Sequence, residues 1–351
     1  MLASPHRLAL CVLAVAAAAC SDALEQDSTA GLVIAVVNTG SNDVSFVNAT
    51  SFTIGPVADL TPPTGTPGTV DARGTVILVP MGDADAVRVV SSGTLPASAP
   101  SIIALPAGSG ATGVAIQDDS LAWVANPNLN SVTQVNYLTG DTATVGAGTY
   151  PQAVVLTRDY VFVINGNLSG GAPAGPSTVR WRTRPGPVGT FGDFALSCTN
   201  ARFAAVGGDG LLYVVCAGAA GAGDGKLSIV DPVARREVAV LNGLGESPGP
   251  AVYHPSGRLL VASQAEGILE VNALTRTVTR GPGAGLKPLG DGVAALALDP
   301  RGRVYAVAPG TCAGPGRVHV LAAPPSYRAL KTVPVGVCPA AAALAAVPLI
   351  N

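Results

Sequence analysis

The chain has 351 residues, a formal net charge of −2 and only 12% charged side chains, which excludes the basic face that a nucleic-acid binder needs. Glycine (43) and proline (29) together supply 72 positions, and after the first twenty residues no apolar stretch of helical length and 3.6-residue period stands out. That excludes a helical protein and predicts many short strands joined by tight turns, in a chain long enough to bury a large core.

Residues 1–20, MLASPHRLALCVLAVAAAAC, carry one firm positive charge, Arg7, and then an apolar run from Leu8 to Ala19. The run is too short to span a bilayer, and small residues precede Cys20, so a cleavable secretory signal is expected. This stretch resembles the lipobox of bacterial lipoproteins, with Ala17 where leucine is usual. The resemblance implies that Cys20 becomes the lipidated first residue. Ser21 in the next position implies sorting to the outer membrane, the alternative being a periplasmic or secreted protein. Residues 21–30, SDALEQDSTA, are polar and form a tether, and residues 31–351 form one domain. No second membrane span is visible, so any membrane contact is through the lipid.

From residue 31 the same short apolar strand keeps returning. The copies are LVIAVV (32–37), TVILVP (75–80), LAWVAN (121–126), YVFVIN (160–165), LLYVVC (211–216), LLVASQ (259–264) and VYAVAP (304–309). Counted between equivalent residues, from Ile34 to Tyr305, the steps are 43, 46, 39, 51, 48 and 44. Seven strand-bearing units at this period predict propeller blades, not a helical solenoid. A further strand follows each copy (DVSFVN, AVRVV, SVTQVN, STVRW, KLSIVD, ILEVN, RVHVL), and an outer one is legible in several units, as in REVAVL and LKTVPVG. An inner strand precedes others, ending in turn sequences such as HPSGR and DPRGR. The unit is similar to that of the YVTN-repeat β-propeller family, most closely in VVNTGSNDVSFVN, WVANPNLNSVTQVN and KLSIVDPVARREVAVL. The resemblance implies an all-β, seven-bladed β-propeller of four-stranded antiparallel blades. It says little about chemistry, because such propellers serve many functions.

Blade one lacks an inner strand of its own. The C-terminal Ala342–Pro348 is predicted to supply it and close the ring, the alternative being a surface helix. Asn48, Asn136, Asp231 and Asn272 share one repeat position and are expected to start turns by accepting from nearby backbone N–H groups. Asn38, Asn126 and Asn165 end the second strand on the opposite rim, where they cap turns or meet a ligand. Cys198, Cys216, Cys312 and Cys338 form an even set in an exported chain, which favours disulfides. The blade register places Cys198 beside Cys216 and Cys312 beside Cys338. A metal site is not expected, since CxxC spacing is absent.

GESPG (245–249) matches GxSxG on paper, but Pro248 lacks the N–H an oxyanion needs. GAGDGK (221–226) lacks the Ser/Thr of a phosphate loop and is expected to be a flexible loop. His254 and His319 are expected to be packed residues. Asp83 and Asp85 in GDADAV lack the rest of a calcium loop. Arg180, Arg182 and Arg184 in STVRWRTRPG share one strand face by their period of two, with Trp181 on the other. With the long loops GNLSGGAPAGPS and CAGAAGAGDG nearby, they are candidates for binding carboxylates or acidic glycan groups. The function these features favour is a non-catalytic binding or scaffold module of the cell envelope. It would be monomeric and cofactor-free, engaging a protein, peptide or glycan through its loop rim or channel mouth. The alternative is a lactonase- or lyase-like propeller enzyme with a metal or acid/base site at the channel mouth.

Overall fold

Seven four-stranded antiparallel sheets follow one another along the chain in a computed structural model that describes residues 31–93, 99, 101–184 and 192–347. The expected signal, Cys20, the tether and Pro348 lie outside the described residues. Blade four is representative. Its strands run from the inside outward as Pro151–Leu156, Tyr160–Asn165, Thr178–Thr183 and Gly192–Ala195. The second strand of every blade is the recurring apolar segment, flanked by a strand on each side.

The blade faces explain why that segment is apolar without interruption. Successive side chains of a strand point to opposite faces, and here both faces are buried. Ile34 and Val36 pack on Tyr305 and Val307 of blade seven, while Val33, Ala35 and Val37 pack on Ile77 and Val79 of blade two. The same division repeats in blade three, where Trp123 and Ala125 join Val161 and Val163 of blade four, and Ala122 and Val124 face Leu78 of blade two. The core is therefore seven apolar layers, one between each pair of adjacent blades. Outer strands have only one strand neighbour and read as mixed, as in Ile54–Asp59.

The ring closes as the sequence predicts. Pro339–Ala346 pairs antiparallel with Leu32–Asn38 and becomes the inner strand of blade one, with Leu32 opposite Ala346 and Val37 opposite Ala341. The strand begins three residues before the expected start. Closure of this kind leaves no terminal blade edge. Gly31 and Val347 meet at the end of this pair, where the Val347 N–H donates to the Gly31 carbonyl at 2.7 Å.

Turns follow the expected chemistry. The Oδ1 atoms of Asn48, Asn136, Asp231 and Asn272 each accept from backbone N–H groups two or three residues on, at 2.8–3.1 Å. Gly257 and Gly302, in HPSGR and DPRGR, take φ of 78° and 74°, which an L side chain rarely adopts. Disulfides join Cys198 to Cys216 and Cys312 to Cys338, with Cα separations of 6.1 and 4.5 Å. Two such bonds point to an oxidising, exported environment. No described helix is long and apolar enough to cross a membrane.

Candidate functional site

Inner strands all start on one rim, the rim that also carries the loops between second and third strands. There the seven inner strands surround the mouth of the central channel, a cavity of about 780 Å³. Each inner strand pairs on one side only. Its other edge turns to the channel and presents backbone N–H and C=O groups there.

The mouth has two chemically different arcs. Blades six, seven and one contribute Pro248, Pro250, Ala294, Ala295, Ala340 and Ala341. Blades two to five contribute Thr69, Thr112, Gln152 and Arg202, and a run of hydrogen bonds joins the first three to Asn200 of blade five. Thr69 Oγ1 donates to the Thr112 carbonyl at 2.6 Å, and Thr112 Oγ1 donates to the Gln152 carbonyl at 3.2 Å. Gln152 Nε2 donates to Asn200 Oδ1 at 3.0 Å, and Asn200 Nδ2 donates to the Gly218 carbonyl at 3.0 Å. Register slips by one residue at Gln152 and at Arg202, so each is an unpaired bulge residue in its inner strand. A bulge re-aims its side chain. Gln152 turns into the wall and is buried, whereas Arg202 is exposed, its guanidinium carbon 5.4 Å from the centre of the Phe203 ring.

Two carboxylates stand near this wall. Glu246 accepts from Gly221 N–H at 2.9 Å and Gly223 N–H at 3.0 Å, and from Ser247 Oγ at 3.1 Å. The Gly221 and Gly223 donors, with Ser247, hold its carboxyl below the usual range. The loop whose sequence hints at a phosphate site thus already grips an anion, and it is Glu246 of the same chain. Two hydrogen bonds thus tie this loop to the turn that carries Glu246. Deeper in, Asp71 Oδ2 accepts from Ile116 N–H at 2.7 Å, a donor on the channel-side edge of the blade-three inner strand, and its Oδ1 accepts from Ala72 N–H at 2.9 Å. Burial nevertheless pushes this carboxyl up to about 6.

The residues singled out by sequence lie elsewhere. Asn38, Asn126 and Asn165 have no exposed surface, so they are not ligand residues of the rim. Their Nδ2 atoms donate across to the third strand: Asn38 to Ser45 Oγ at 2.9 Å, Asn126 to Thr133 Oγ1 at 2.8 Å and Asn165 to Thr178 Oγ1 at 3.2 Å. The arginine row does share one face, but that face is packed on blade three, where a ligand has no access to Arg182. Arg182 is 5% exposed and stacks on Trp123 at 5.3 Å. Arg184 donates to the carbonyls of Gln117 and Thr157 at 3.0 and 2.9 Å, and Arg180 to that of Gly146 at 3.5 Å. Trp181 faces the other way, under Arg235 at 4.3 Å.

The remaining candidates are structural. His254 Nε2 lies 3.0 Å from the Gly302 carbonyl, and His319 Nε2 lies 2.9 Å from Asp291 Oδ2, both rings buried. Asp83 and Asp85 each cap a loop, accepting from Thr66 N–H at 2.8 Å and Gly108 N–H at 2.7 Å respectively. Ser247 has φ of 43° and bonds Glu246, with no backbone donor after it. Among the described residues, no three His, Cys, Asp or Glu side chains converge as a metal site. Sequence reasoning missed Arg202 and Asp71. Arg202 is the lone charge of its inner strand, ARFAAV, whereas Asp71 shares the short strand DAR with Arg73 and carries no such mark.

No protein-family model matches the chain, and no curated protein matches it in sequence. Its fold does match solved structures. A functionally unknown protein from Desulfotomaculum acetoxidans aligns over 90% of this chain and 99% of its own, at TM-score 0.66 and 14% identity. Hydrazine synthase of Kuenenia stuttgartiensis aligns over 79% and 89%, at TM-score 0.64 and 13% identity. Virginiamycin B lyase from Staphylococcus aureus aligns over 76% and 84%, at TM-score 0.60 and 12% identity. At these identities the likeness establishes the seven-bladed propeller fold and nothing about activity.

Proposed function

We propose that the chain is a diverged YVTN-repeat propeller of the bacterial cell envelope, a binding module that holds a protein segment, peptide or glycan in its channel mouth. The observation that carries this reading is the mouth itself. All seven blades contribute to it, and its polar arc is fixed by hydrogen bonds before any ligand arrives. Pre-set geometry of this kind lowers the entropic cost of binding. The export signal and Cys20 support an envelope location with a lipid anchor. A propeller enzyme of the lyase or lactonase kind needs acid/base or metal-ligand side chains gathered at the mouth. Here the one carboxylate lining it, Glu246, is already engaged by backbone donors.

The test uses the mature protein on a solid support and two plugged variants, Thr66→Trp and Ala265→Trp. Both positions are exposed and line the mouth from opposite sides, so neither change disturbs the core. Material from envelope extracts that wild type retains and both variants lose supports the mouth as the site. Equal retention by all three proteins refutes it.

A further inference from the structure

We infer that the ligand of this mouth carries a carboxylate, that Arg202 binds it, and that the ligand's apolar side rests on the proline and alanine arc. This rests on the mouth being the binding site. Arg202 is the one cation lining the mouth. Among the described residues no carboxylate lies within ion-pairing distance of it, although Arg73, Arg258, Arg303 and Arg317 each have one. The single anion of the mouth, Glu246, has its charge met by two N–H groups and a hydroxyl. The mouth therefore offers one guanidinium with no ion-pair partner, and a carboxylate already engaged by neutral donors. A guanidinium presents a planar fork of donors that fits a carboxylate in two parallel hydrogen bonds.

The support behind Arg202 is a second, independent observation. Three of the four positions just before it are held by residues elsewhere in the fold. Cys198 is bonded to Cys216, Asn200 is held between Gln152 and Gly218, and the Ala201 N–H donates to the buried Ser177 Oγ at 2.8 Å. The bulge then throws Arg202 out of the ladder and into the mouth. An ordinary surface arginine stands on no such scaffold. This one is held by a disulfide and by contacts from blade four, which is how a binding group is fixed in place. The other arc of the mouth supplies Pro250, Ala294 and Ala340, which suit small apolar groups, and the free strand edges suit amides or hydroxyls. Two sources of such a carboxylate fit: the C-terminus of an apolar peptide and an acidic sugar.

Calorimetric titration of the mature protein with matched probes tests this. The probes are N-acetyl-trialanine and its C-terminal amide, and glucuronate and glucose. Wild type is expected to bind one of the two acids at least about tenfold more tightly than its neutral twin, which is the effect of one charge-assisted contact. Arg202→Gln should erase that preference with no change in melting temperature, and Arg202→Lys should keep part of it. The acid that shows the preference names the source. Equal binding of acid and neutral twin, an unchanged preference in Arg202→Gln, or no binding of either acid would overturn the inference. If both twins bind equally and Ala265→Trp abolishes both, the mouth stands as the site and only the carboxylate assignment falls.

Discussion

Replacing Asp71 by Asn should make the protein more stable at neutral pH and remove a component of its pH dependence. The carboxyl is displaced from its ordinary value of 3.8 to about 6, with burial as the main cause. At about 1.4 kcal/mol per pH unit, that displacement corresponds to about 3 kcal/mol. The sign follows from which state binds the proton more tightly. Here it is the folded state, so the contribution of Asp71 to stability is complete below about pH 4. It is lost as pH rises towards 7, and the ionised carboxylate then strains the neutral-pH fold. Asn removes the charge and can still accept from Ile116 N–H, but its amide cannot accept from Ala72 N–H as well, a loss of about 1 kcal/mol. The net gain above pH 7 is therefore about 2 kcal/mol, and it should vanish or reverse at pH 4. Urea unfolding followed by tryptophan fluorescence reports this well, because Trp123 is fully buried between blades three and four. The quantity to plot is the stability difference between variant and wild type from pH 4 to pH 8. A flat difference, or one that falls with pH, would refute the account of a carboxylate desolvated in the channel wall.

Trp123→Ala empties the layer between blades three and four and removes the ring under Arg182, so a loss of about 3–5 kcal/mol is expected in the same unfolding assay. Replacing both members of either disulfide by serine should cost about 3 kcal/mol, since each closes a loop of similar length, 18 and 26 residues apart in sequence. Reductant should lower the melting temperature of wild type but not that of the variant lacking all four cysteines. A chain ending before Pro339 loses the inner strand of blade one and exposes the edge of Leu32–Asn38. Size-exclusion chromatography should show it associating, and adding back a peptide of residues 339–351 should return it to the elution volume of the full chain.

The blades were legible because of a packing fact: the second strand of each is buried on both faces, so its central positions are apolar in succession and stand out from the polar turns. The closing strand was legible by counting, since Leu32 begins almost at once and one inner strand had to come from elsewhere. The disulfides followed from register. What stayed hidden depended on direction or on distant partners. A period of two puts Arg180, Arg182 and Arg184 on one face, but does not say that the face is the one packed on Trp123. The end of a strand looks the same in sequence whether its asparagine meets solvent or, like Asn126, lies beneath a loop bonded to Thr133. A bulge has no compositional mark, so Arg202 reads as one more inner-strand residue. The glycine loop 221–225 looks mobile until Glu246, from a different turn, is seen to fill it.

The meeting of Gly31 with Val347 brings both ends of the described chain to one rim. Leu32 starts its strand at the end where inner strands finish, so both ends of the described chain leave from the rim opposite the mouth. A stalk joined there holds the opening pointed away from whatever surface the stalk is rooted in, with the whole depth of the ring between them. A bulky partner could then approach the opening without first displacing the support. The same polarity serves at the bench: a linker fused ahead of Gly31 would display the mouth outward on a sensor chip, whereas coupling through the loops of the other rim would bury it.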